Sequence, residues 1–113
     1  MNIKRIRTGH AHARYMVSVN GEVYSERWHL NFVPMKQKIV GGYLTVRLQT
    51  DPHYQNTIGE KHYKILQVHR IVAQAFLPDY TDDAIVLHID GNIMNNKVSN
   101  LKIIPANNGA PNV

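Results

Sequence analysis

The 113-residue sequence contains no cysteine, which excludes a disulfide framework and every zinc site built on thiolates. No apolar run approaches the roughly 18 residues that a membrane-spanning helix requires, so no membrane role is expected. The charged opening, Met1 to Arg14, lacks the apolar stretch of a secretory signal, and the expected compartment is the cytoplasm. Internal repeats, low-complexity tracts and Pro/Ser-rich linkers are also missing. At this length the chain is expected to be one domain.

Acidic residues are scarce, eight against thirteen Lys and Arg, and the imbalance is local. Up to Thr50 the basic residues are Lys4, Arg5, Arg7, Arg14, Arg27, Lys36, Lys38 and Arg47, facing only Glu22 and Glu26. From Asp51 onward five basic residues face six acidic ones. A basic half suits a polyanion, because each neutralised phosphate releases condensed counterions. It equally suits a solvated surface that keeps the protein soluble. Charge alone does not choose.

The pattern of residues predicts an α+β fold. Tyr15 to Val19, Asn20-Gly21 and Glu22 to Ser25 read as a β-hairpin, since both positions of an Asn-Gly turn favour φ > 0. Gly41-Gly42 opens a strand to Leu48 with Leu44, Val46 and Leu48 on one face and Tyr43, Thr45 and Arg47 on the other. Asp51 to Glu60, with Pro52 and Gly59, reads as a loop, and Lys61 to Gln67 as a returning strand. Val68, Ile71, Val72, Ala75 and Phe76 then follow helical spacing, with His69, Arg70, Ala73 and Gln74 opposite. Pro78 ends that helix. Ala84 to Ile89 and Leu101 to Ile104 read as strands joined by an Asn-rich loop. The expected organisation is a basic arm (1–14), a β-rich segment (15–67) and a helix with a terminal hairpin (68–113).

The chemistry-bearing residues lie in Val68-His-Arg-Ile-Val-Ala-Gln-Ala-Phe76, His88-Ile-Asp-Gly-Asn92, Asn95-Asn96 and Asn100-Leu101. Together these segments resemble the HNH endonucleases of bacteriophage homing type, across roughly residues 14–104. The resemblance implies an N-terminal hairpin or small antiparallel sheet, then a helix and an HNH ββ(α)-metal hairpin. It implies a DNA endonuclease that hydrolyses phosphodiesters with Mg²⁺ or Mn²⁺, working on double-stranded DNA in the host cytoplasm. His88 matches the general base, and an imidazole can accept a proton near neutral pH. Asn100 matches the residue that braces the loop and orients the base. Asp90-Gly91 is read as turn geometry, and Asn95 and Asn96 as satisfying loop backbone groups.

The family pattern departs at two places. Leu87 stands where many relatives carry an Asp that helps hold the metal. Nine positions beyond Asn100, where a His or Asn ligand belongs, the chain has Gly109. Asn108, one position short, is the expected metal ligand, on a closing helix that Gly109 and Pro111 leave degenerate or truncated. Lys4, Arg5, Arg7, Arg14, Arg47 and Arg70 are the expected DNA contacts, each with the alternative of a solubilising charge. His69 is expected to pack or hydrogen-bond against the hairpin, and His10-Ala11-His12 to be incidental. Two other functions fit the same scaffold: a catalytically inactive HNH domain that binds DNA, or one that binds and inhibits a host defence protein complex. Apolar hairpin surface left open by an incomplete helix would be covered by that partner or by a second subunit.

Overall fold

The structure, a computed structural model, describes residues 2–6, 15–27, 31–49 and 63–105. Nine strands and one α-helix lie in these segments, all strand pairs being antiparallel. Strands β1 (Ile3–Arg5), β2 (Tyr15–Ser18), β3 (Val23–Arg27) and β4 (Asn31–Pro34) form one sheet in that order. Strands β5 (Lys38–Val40), β6 (Tyr43–Gln49) and β7 (Tyr63–Gln67) form a second. Helix α1 (Val68–Phe76) follows β7 directly, and β8 (Ile85–His88) pairs with β9 (Leu101–Ile104) as a separate ribbon. No helix among the described residues is long and apolar enough to cross a membrane.

The start of the chain departs from the expected arm. Residues 3–5 pair with β2 in the register Ile3↔Ser18 and Arg5↔Met16. Ile6 donates its N–H to the Tyr15 carbonyl at 3.0 Å and is buried in the core. Ile6 explains this: it finds apolar cover in the core, while Lys4 and Arg5 stay exposed and Ile3 is half-buried. The remainder of the arm, including Arg7, Arg14, His10 and His12, lies outside the described residues, as do the 51–60 loop, His53 and His62.

The first hairpin has a different turn from the Asn-Gly pattern. The Gly21 N–H donates to the Ser18 carbonyl at 3.1 Å, and the Ser18 N–H to the Glu22 carbonyl at 2.9 Å. The tight turn therefore centres on Val19-Asn20, with Gly21 following it at φ +85°. This is a three-residue loop whose glycine forms the bulge. The Ser18 hydroxyl oxygen accepts the N–H groups of Asn20 and Glu22, fastening the loop. Between β5 and β6, Gly41-Gly42 makes the two-residue turn instead, both at positive φ.

Helix α1 is the post on which the three sheets rest. At nine residues it would be marginal in isolation, so packing has to hold it. Val68, Ile71 and Val72 bury the expected face against Val17, Val23, Val46, Leu48 and Leu101. Fully burying each such valine contributes about 1.5–3 kcal/mol. The helix continues to Phe76, where Leu77 closes it by donating its N–H to the Ala73 carbonyl at 2.9 Å. The expected polar face is partly wrong, because His69 and Ala73 are also buried. With sheet on one side and the β8–β9 ribbon on another, only Gln74 remains fully in solvent. Arg70 reaches out to donate to the carbonyls of Ala84 (3.0 Å) and Asp82 (2.7 Å). Its guanidinium also stands 5.5 Å from the Tyr80 ring centre.

Candidate active site

Antiparallel pairing sets the side-chain directions on the ribbon. Val86 and His88 alternate with Ile85 and Leu87 along β8, and their partners on β9 are Ile103 and Leu101. Val86 and Leu101 are buried, whereas Ile85 and Leu87 are exposed. His88 therefore stands at the end of the inward face, half-buried, directly over the first turn of α1. Its ring centre lies 5.0 Å from that of His69, and the His69 ring stacks on Tyr43 at 4.8 Å. Tyr43 is itself 6.2 Å from His88 and nearly parallel to it. The ring thus stands beside two aromatic rings and one amide, with buried Leu101 as its cross-strand partner.

That amide belongs to Asn96. Its Oδ1 lies 2.6 Å from His88 Nε2. A carbonyl oxygen only accepts, so the Nε2 carries the hydrogen in this contact, and in the neutral ring the lone pair then sits on Nδ1. Asn96 is 4% exposed, and its contact with the histidine replaces the backbone-satisfying role expected from the sequence. Nothing in the spacing distinguishes Asn96 from Asn95. The distinction is geometric, since the neighbouring Asn95 amide donates to Asp90 Oδ2 at 2.9 Å.

The loop between β8 and β9 is built around Asn100, which is buried. Its Oδ1 accepts the Asp90 N–H at 3.0 Å, and its Nδ2 donates to Asp90 Oδ1 and to the Asn95 carbonyl, both at 2.9 Å. Its own carbonyl accepts the Ile89 N–H at 2.8 Å. The Asn92 N–H donates to Asp90 Oδ1 at 2.8 Å. Hydrogen bonds from the Asn95 side chain, the Asn92 N–H and the Asn100 side chain hold the Asp90 carboxyl below the usual carboxylate range. Asp90 is thus a negatively charged hub of the turn, with both oxygens engaged.

His69 answers to a different environment. Burial first, then the nearby His88 and Arg70, lower its pKa to about 4. It is a neutral ring at physiological pH, stacked as packing was expected to place it.

Mg²⁺ takes near-octahedral oxygen coordination. Among the described residues no group of three or more His, Cys, Asp or Glu could hold a metal ion. Leu87 offers no oxygen, and the Asp90 oxygens are engaged by loop donors. Asn108, the expected ligand, and the closing helix lie outside the described residues. The described donors therefore do not fit a protein-built metal site.

The expected DNA contacts are dispersed. Lys4 and Arg5 are on β1, with the Lys4 ammonium 5.4 Å from the Phe76 ring centre. They line a groove of about 680 Å³ together with Gln74, Tyr80 and Asp82, and that groove includes none of Tyr43, His69, His88 or Asn96. Arg47 is exposed on the β6 face that also carries Tyr43. Arg70 is engaged with the loop before β8.

Comparison with known proteins follows the same segment. Residues 66–108 match the profile of a family described as HNH endonuclease. A protein of Bacillus subtilis (strain 168), named as an SPbeta prophage-derived candidate HNH homing endonuclease, YosQ, is 44% identical over 57 residues. That match covers 47% of this chain and 33% of the relative. A solved structure described as DNA binding and cleavage by the HNH homing endonuclease I-HmuI superposes with a TM-score of 0.65 at 32% identity. It covers 99% of this chain and 57% of that one. The chain thus spans a third to somewhat over half of the proteins it resembles.

Proposed function

We propose, from the match of residues 66–108 to the HNH endonuclease family, that this chain is a DNA endonuclease of phage homing type. The observation that carries the reading is the His88–Asn96 hydrogen bond at 2.6 Å. It leaves Nδ1 as the proton acceptor on a half-buried ring at the end of β8. In hydrolysis, Nδ1 takes a proton from water, the water oxygen attacks phosphorus, and the bond to the sugar oxygen breaks, that oxygen leaving as an alkoxide that takes a proton from solvent water. Asn100 keeps the loop closed beneath the base, and neutral His69 and Tyr43 pack beside its ring. Arg47, Lys4 and Arg5 supply charge toward the phosphate backbone, together with Arg7 and Arg14. Arg70 serves the fold.

Because the described donors do not fit a metal site, no step is assigned to Mg²⁺ or Mn²⁺. Either ion enters as a variable of the assay. The test is relaxation or linearisation of supercoiled plasmid by the purified protein, with each ion and with chelator. Cleavage supports the nuclease.

A second reading rests on Leu87 and on the engaged Asp90 oxygens. It is an HNH scaffold that binds duplex DNA without cutting it. Retarded DNA with intact phosphodiesters under every ion would favour it.

A further inference from the structure

Asn96, the hydrogen-bond partner of His88, meets the turn of the first hairpin at one point, and that turn has no role in the proposed hydrolysis so far. The Val98 N–H, two residues beyond Asn96, donates to the Val19 carbonyl at 2.8 Å. Gly21 packs against Asn96 so closely that a Cβ on it would stand 2.9 Å from the Asn96 Cβ and 3.0 Å from its carbonyl oxygen. The Gly21 carbonyl is held in turn by the Gln37 side chain at 2.8 Å. From the other side, Asn100 Nδ2 holds the Asn95 carbonyl at 2.9 Å. Asn96 is therefore clamped between the N-terminal sheet and the Asn100 loop, with its oxygen aimed at His88.

We infer that Asn96 is a positioning residue that fixes the Nε2–H tautomer of His88, with the Val19–Gly21 turn as its backstop. A neutral imidazole distributes its hydrogen between two nitrogens, and the hydrogen bond made by one decides which keeps the lone pair. Without an acceptor at Asn96, part of the population would carry the hydrogen on Nδ1. That part would have no base facing water. The catalytic consequence rests on the nuclease reading, whereas the tautomer does not.

The test is long-range ¹H–¹⁵N correlation of the histidine rings at alkaline pH, without DNA or metal, on wild type, Asn96→Leu, Asn96→Ala and Asn96→Asp. Wild-type His88 is expected as a single Nε2–H tautomer. Leu and Ala, which lack the acceptor, convert it to a mixture, while Asp, with an oxygen in place, restores the Nε2–H pattern. An unchanged melting temperature and amide spectrum away from Asn96 identify variants that keep the fold, and Ala stands in if Leu does not fold. In the cleavage assay Leu or Ala lowers the rate about 10- to 100-fold, the range for losing a partner that orients a functional histidine, and Asp recovers part of it. An Nδ1–H wild type, or an unaltered pattern in folded Leu and Ala variants, overturns the inference. A tautomer that responds as described in a protein that cuts nothing retires the nuclease and leaves the positioning role standing.

Discussion

His69 shows what burial does to a titratable ring that the fold needs uncharged. Its pKa of about 4 in the native state lies below the ordinary value near 6.5. The unfolded chain therefore binds more protons between these limits, and stability falls as pH drops through that window. The linkage amounts to about 2 kcal/mol between pH 7 and pH 4.5. Thermal or urea melts across that range should show the decline, and His69→Phe should flatten it. A decline of the same size in the variant would assign the effect to another group. Arg70 makes a comparable point about cations. Because its two donors satisfy carbonyls of the loop before β8, Arg70→Ala should cost about 1–3 kcal/mol. Its effect on DNA affinity should be smaller than that of Arg47→Ala, measured side by side.

The first hairpin and the Asn-rich loop behave as one assembly although some seventy residues of chain separate them. Gly21 needs both its positive φ and the absence of a Cβ there. Gly21→Ala should destabilise the protein by about 1–3 kcal/mol, read as a lowered melting temperature. Gly41→Ala, also at positive φ but with nothing within 4 Å, separates the backbone cost from the contact and should cost less. Strands β2, β3, β6, β7, β8 and β9 and the helix are legible in the sequence, whereas β1, β4 and β5 are not. Helix α1 announced itself by the spacing of Val68, Ile71 and Val72, and β6 by the alternation of Val46 and Leu48. The turn type was not, because Asn-Gly fits two hairpin loops of different length and the pairing Val17↔Val23 decides between them. The burial of Ala73 is equally hidden from the helical period, and that of His69 is suggested only by the family resemblance. Both depend on a ribbon packing against α1 from residues well downstream, which no local period encodes.

For the molecule as a whole, charge and site are legible to different degrees. His88 and Asn100 stand out through the resemblance of their segments to the HNH family, and the structure puts them at the two ends of one loop. Asn96 and Tyr43 could not, since their part comes from direction and distance. The basic excess before Asp51 predicts that duplex affinity falls steeply with salt, with a log–log slope that scales with the phosphates neutralised. Replacing Arg47 should reduce that slope by about one. A flat salt response would remove the polyanion as partner.

The central claim is that His88 is the base. Single-turnover cleavage of plasmid DNA by wild type and His88→Ala, in Mg²⁺ and in Mn²⁺, tests it most directly. A positioned base contributes about 10²–10⁴-fold, so the variant should lose at least a hundredfold in rate while still binding duplex. Cleavage by His88→Ala at the wild-type rate would contradict the account.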